Sequence, residues 1–191
     1  MKHLIKTLFV TAFALTWSCG GSDTGGSLLD EAWQHFVAKE YPQAHAGFTS
    51  LINRNGADAY AGLGWTCMKM DSIPEADRYF TLGSALDTAN VIGFAGWAIV
   101  GWVRGSHAAS ILHADLVLRH VPAFVFQYDE GITQRTMTLT KGYGYFHLSD
   151  YQNCIDEILV LDATYSAPGL SDPTIHTQLL AKLDALNAGQ F

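Results

Sequence analysis

The stretch DAYAGLGWTCMKM, residues 58–70, decides how the rest of the chain is read. Its small and large apolar residues do not keep the strict alternation of a strand. From Ala59 to Lys69 they fall at helical spacing. Gly62 and Gly64 inside such a helix each cost about 1 kcal/mol relative to alanine, so their presence implies a packing gain that outweighs the cost. The chain then turns through 70–75, where Pro74 suits a first helical turn and Ser72 with Glu75 has the form of a capping box. A second helix is expected from 74 to about 86. Two antiparallel helices joined this closely approach best where side chains are small. Gly64 and Ala76 are therefore the expected crossing point, with Leu63 and Phe80 filling the space beside it.

The hairpin repeats. Trp33, Trp65 and Trp97 are separated by steps of 32 residues, and the same step links Ala44, Ala76 and Ala108. It also links Phe48, Phe80 and Leu112; Ala32, Gly64 and Gly96; Phe36, Met68 and Val100; and Pro42 with Pro74. Units are thus expected at 28–59, 60–91 and 92–123. A fourth, 138–169, follows an insertion at 124–137, with Gly142, Tyr143, Phe146, Tyr151, Cys154 and Ile158 in matching columns. A last amphipathic stretch, 173–186, reads as a helix that caps the exposed apolar end of a stack.

The pattern Tyr60-x-x-Leu63-Gly64-x-x-Cys67 followed by Ala76-x-x-x-Phe80 resembles the tetratricopeptide repeat, a helix-turn-helix unit of about 34 residues. The chain departs from it in its step of 32, in lacking a proline at the end of each unit, in the insertion, and in Gly105 where the turn usually holds an aromatic. The resemblance implies an all-α fold, a right-handed α-solenoid of about four helical hairpins with a C-terminal capping helix. It also implies a concave groove lined by the first helix of each unit. Trp33, Trp65, Trp97 and Tyr143 would form an aromatic ladder there, with Val37, Lys69, Gly101 and His147 one turn further on. Such a ladder either stands open to an extended apolar or aromatic-containing segment, or is already covered. Packing between neighbouring helices could cover it, as could the insertion, whose Phe124, Phe126 and Tyr128 suit a plug. The family's clamp for C-terminal carboxylates has no counterpart, because Lys69 is the one cation in these columns.

The N-terminus reads as a targeting segment. Lys2 and Lys6 precede ten largely apolar residues, 8–17, and then Ser18-Cys19-Gly20. This resembles a bacterial lipoprotein signal, 1–18, with Cys19 as the lipidated first residue, although Thr16 and Trp17 depart from the usual pattern before the cysteine. Residues 19–27, rich in Gly and Ser, read as a flexible tether, and 28–191 as the repeat domain. Gly20 after the cysteine implies the outer membrane by resemblance to sorting rules, so a lipid-anchored location in the cell envelope is expected.

Composition narrows the remaining classes. The whole chain has 11 basic and 18 acidic residues; removing Lys2 and Lys6 leaves nine basic against 18 acidic, a net of −9. Such a surface is repelled by nucleic-acid phosphates and by anionic headgroups. Cys67 and Cys154 lie two units apart and are expected to be free, inert thiols. His113 and His120 are seven residues apart, a spacing that supplies no metal site directly. They are expected to be exposed or half-buried. No nucleophile elbow, zinc helix or phosphate loop is present, and no cofactor is expected. The apolar run at 91–103 is too short to span a bilayer and suits a helix buried mid-stack. The expected function is a non-catalytic protein-protein interaction or assembly module with a protein or peptide partner. The alternatives are a structural spacer with a plugged groove, or a metal-binding or enzymatic protein using His107, His113 and Asp115.

Overall fold

The computed structural model describes residues 24–188, with side chains from Leu28 onward. The expected signal and Cys19 lie outside the described residues. Nine α-helices form the described part: α1 (Thr24–Val37), α2 (Tyr41–Leu51), α3 (Gly56–Lys69), α4 (Ile73–Leu86), α5 (Val91–Val103), α6 (His107–His120), α7 (Gln134–His147), α8 (Tyr151–Leu161) and α9 (Ile175–Ala188). They make four antiparallel hairpins and a closing helix, an all-α repeat solenoid. The odd-numbered helices touch one another along the stack, whereas each even-numbered helix touches only the odd-numbered ones on either side. Closer spacing on the odd side curves the stack towards it, so the odd helices form the concave layer.

Every hairpin turns in the same way. Lys39, Asp71, Gly105 and Ser149 have φ of 62°, 60°, 73° and 57°. Each amide donates back to the carbonyl three residues earlier, at Phe36, Met68, Trp102 and Phe146. The next residue donates five back, to His35, Cys67, Gly101 and Tyr145. This is the Schellman closure, which satisfies the last carbonyls of the first helix before the second begins. Gly105 is therefore no defect in the third unit. It occupies the left-handed turn position, where a glycine has no Cβ penalty.

Those turns also reset the register. They are spaced 32, 34 and 44 residues apart, so the uniform step of 32 holds only between the first two units. Ala44 and Ala76 are buried as expected, but Ala108 is exposed, and the fully buried side chain in that column is Ser110. Likewise Leu112 is 53% exposed while Ala114 is fully buried. The third hairpin keeps the tetratricopeptide length of 34, and a step of 32 misaligns it by two residues.

The glycines do serve close packing, and the Phe80 ring expected beside the crossing is what they meet. A Cβ on Gly64 would lie 2.5 Å from the Phe80 ring, and one on Gly96 would strike the same ring from the next unit. Phe80 thus sits between two glycine-bearing helices, α3 and α5. Gly64 is small for the sake of Phe80.

Other boundaries differ in instructive ways. Ser72 is the N-cap of α4, yet its side chain makes no capping hydrogen bond. The capping box present is Thr133 with Thr136, which starts α7 at Gln134, four residues before the expected unit. At the other end, α1 takes in 24–27 of the expected tether. Extending an existing helix backwards costs far less than nucleating one, which lets a glycine pair join it. Among the described residues no helix is long and apolar enough to cross a membrane; α5 is buried along Phe94, Ala95, Gly96, Ala98, Val100 and Gly101 instead.

Candidate functional site: the concave groove and its strap

Between α6 and α7 the chain leaves the stack as a strap and returns across the concave face. Its side chains alternate like those of an extended strand: Phe124 and Phe126 buried, Val125 and Gln127 exposed. A narrow loop is pinned by Phe126 N donating to Ile132 O at 2.8 Å and by a bridge between Val125 and Thr133. The buried side faces the start of the ladder. Tyr128 stacks on Trp33 with centroids 4.0 Å apart and planes 4° from parallel, and Phe126 stacks on Trp65 at 4.3 Å and 19°. Asp129 accepts from Lys69 at 2.7 Å, which fastens the strap to the end of α3. Trp65 has no exposed surface and Trp33 only 3%. Of the two arrangements open to the sequence, the covered one holds for these tryptophans, and the cover is the insertion.

Trp97 is not part of this ladder. Its indole Nε1 donates to Asp77 Oδ1 at 2.8 Å, and its ring stacks on His113 at 3.8 Å. It lies against α4 and α6, away from the strap. The two-residue offset of the third unit explains this, since it is Ile99 that stands 34 residues after Trp65. Tyr143, 44 residues further, keeps its expected place on the concave side. Its hydroxyl donates to Asp184 on α9 at 2.8 Å. Burial, followed by the Asp184 carboxylate, pushes the phenol well above its usual range.

Beyond the strap the groove remains open. A cleft of about 490 Å³ is bounded by Ile99 and Trp102 on α5, by Leu139 and Tyr143 on α7, and by strap residue Ile132, with the Lys69–Asp129 pair at its edge. Trp102 is 41% exposed and its ring is tilted 49° to Tyr143 at 5.9 Å. Neither Ile99 nor Trp102 belongs to the sequence ladder. The signal that would have found them is the turn itself: Asp71-Ser72 and Gly105-Ser106 are 34 apart and fix the true columns.

The histidines and carboxylates are engaged elsewhere. His147 is exposed and stacks on His107 at 4.4 Å instead of entering the cleft. Burial, then the neighbouring His147, holds His107 below its ordinary value. His113 is 6% exposed, more buried than expected. Its burial lowers it to about 4, against the upward pull of Asp77 and of a backbone hydrogen bond at Trp97. Asp115 pairs with Arg119 and with Lys141, and Lys141 pairs also with Glu157. His107, His113 and Asp115 are thus not brought together, and among the described residues no group of three metal-ligating side chains forms. Cys67 and Cys154 are free and buried. Burial is the main cause that raises both thiols, Cys154 to about 12, so neither carries thiolate character near neutrality.

No family model and no curated protein matches the sequence. Among solved structures, the chain is similar to a tetratricopeptide repeat protein from Parabacteroides merdae ATCC 43184, at 13% identity and a TM-score of 0.58, over 88% of this chain and 62% of that one. It spans less than two thirds of that protein's length. It is also similar to MamA MSR-1 and MamA AMB-1, at 12% and 14% identity and a TM-score of 0.62 in both cases. These matches cover 89% and 86% of this chain and 100% and 91% of those. The fold is tetratricopeptide-like.

Proposed function

We propose that this chain is a non-catalytic protein-interaction or assembly module of the bacterial cell envelope, anchored through a lipid on Cys19. Its partner docks in the part of the concave groove that the strap leaves open. The observation that carries this reading is the cleft itself: a tetratricopeptide-like stack presents an apolar, aromatic-walled surface on its concave side, with Trp102 substantially exposed. Exposed aromatic anchors in concave sites are where binding energy concentrates. The anchor and the outer-membrane location rest on the basic, apolar and small-cysteine segments of the N-terminus.

Two measurements test the two halves. Retention of an envelope protein by the wild-type chain, and its loss with Trp102→Ala and Tyr143→Leu, is the expected result of affinity capture. Retention by both variants that equals the wild type's removes the groove from the reading. Lipid labelling should mark the wild-type chain and spare Cys19→Ser; equal labelling overturns the anchor.

A second reading, a structural spacer, draws on the burial of Trp33 and Trp65 beneath the strap, which occupies that end of the concave face. It predicts that neither groove variant alters any association.

A further inference from the structure

We infer that the open end of the groove takes an extended, uncharged peptide segment that seats an aromatic side chain against Trp102 and Tyr143, whose rings already touch each other. This rests on the interaction reading above and specifies the chemistry of the partner.

The strap shows what this face accommodates. It is an extended segment whose alternate side chains enter the groove, and it places one aromatic ring flat on Trp33 and another on Trp65. Ile99 and Tyr143 stand in the same column as Trp65, one and two units further on, so the cleft continues a surface that already holds chain of this kind. Strap residue Ile132 and the Asp129 carboxylate form part of the cleft's boundary, which makes the two regions contiguous. A ligand there prolongs the strap's contact surface along the stack.

The cleft's electrostatics set the charge. Its cation, Lys69, and its anion, Asp129, are 2.7 Å apart and neutralise each other. The Tyr143 hydroxyl is committed to Asp184, and the hydroxyl of Thr140 donates to its own helix at Thr136 O. A charged ligand would lose its hydration and meet no free counter-charge, whereas an aromatic ring gains from Trp102, Tyr143, Ile99 and Leu139. The tilt of 49° between Trp102 and Tyr143 leaves both rings able to make edge or face contact with a third.

The probe is acetyl-Val-Phe-Gln-Tyr-amide, the sequence of 125–128, titrated calorimetrically into the full chain. A counterpart with glutamate in place of both aromatics serves as comparison. Saturable binding is expected that weakens at least about tenfold with Trp102→Ala and with Tyr143→Leu. Tyr143→Phe should keep it, because the ring and not the hydroxyl is used, and raised salt should change it little. Circular dichroism on each variant confirms that the helices remain. Absence of saturable binding to the wild type, equal binding of the glutamate peptide, or indifference to both substitutions overturns the inference. If the peptide fails while an envelope protein is still retained by the wild type and lost from both variants, the aromatic chemistry is wrong and the interaction reading stands. If capture is also indifferent to the variants, both fall.

Discussion

Phe126 lies on Trp65 at 4.3 Å with the two planes only 19° apart, although 61 positions separate them in sequence. Both rings are fully buried, so a segment that leaves the stack after the third hairpin completes the core of the second. Removing the ring should therefore cost far more than a loop substitution does. Phe126→Ala is expected to lose about 3 to 5 kcal/mol, the range for truncating a buried phenylalanine. It should also shift tryptophan emission to longer wavelength as water reaches Trp33 and Trp65. A change within about 0.5 kcal/mol in chemical denaturation, with unaltered emission, would show that the strap does not seal the groove.

The two-residue offset of the third unit gives a direct test of register. Ala76→Leu places a large side chain at a fully buried position and should cost about 1 to 3 kcal/mol. Ala108→Leu, at the position a uniform step of 32 makes equivalent, is exposed and should stay within about 0.5 kcal/mol. Ser110→Leu should behave like Ala76→Leu, because Ser110 is buried and its hydroxyl donates to Ala98 O. Thermal unfolding of the three variants ranks them.

Phe80 between Gly64 and Gly96 predicts a coupled pair. Gly64→Ala raises helix propensity by about 1 kcal/mol, yet its new methyl meets a ring that the next unit holds from the other side. Net destabilisation of up to about 2 kcal/mol is expected, since overpacking a close-packed core costs about 1 to 3 and the propensity gain offsets about 1 of it. In a Phe80→Leu background the same alanine should cost markedly less. A double-mutant cycle with no coupling would mean that the glycine answers to something else.

Asp77 accepts from both Trp97 and Arg104, at 2.8 and 2.6 Å. Asp77→Asn should therefore cost about 1 kcal/mol, with Asp77→Ala costing more because the indole N–H loses its partner. The pair with Arg104 is partly solvated, and its own share is small. Denaturant midpoints for the two variants and for Arg104→Ala separate these contributions.

Acidification should weaken the fold before the carboxylates titrate. Burial holds His113 neutral down to about 4, whereas an unfolded histidine takes up its proton near 6.5. Between those values the unfolded chain binds more protons, so stability falls as pH drops, by about 2 kcal/mol at pH 5. His107, lowered by burial and by His147, contributes with the same sign. Urea midpoints from pH 7 to pH 5 should show this slope in the wild type, and His113→Gln should flatten most of it.

Much of the fold was legible because helical hairpins advertise themselves twice, in apolar spacing and in small residues at close contacts. Gly64, Phe80 and Ala76 identified the second unit, and the first shared its step. The third was misaligned because Trp97 happens to stand 32 residues after Trp65 while the packing follows the turn at Gly105. Trp97 shares its residue type with Trp65 but not its face, because the backbone of the third unit is offset by two residues. Within the site, the aromatic side chains of the strap marked it as a suitable plug. Nothing local could show that it reaches Trp33, because that contact depends on the curvature of three stacked units. Trp102 and Ile99 were missed for the same reason as Trp97 was misplaced.

In all four units the spacing from the small residue of the first helix to that of the second is 12: Ala32 to Ala44, Gly64 to Ala76, Ala98 to Ser110, Gly142 to Cys154. From each second helix to the next first helix it is 20, 22 and 32. Chain length is thus rigidly conserved within a hairpin and freely variable at the joints, which all emerge along the opposite rim. Added sequence at such a joint leaves the scaffold's geometry untouched while gaining access to its inner curve. The strap exemplifies this division of labour, and the joint at 87–90, between α4 and α5, offers a second place where a grafted loop would alter what the hollow contains without disturbing the frame.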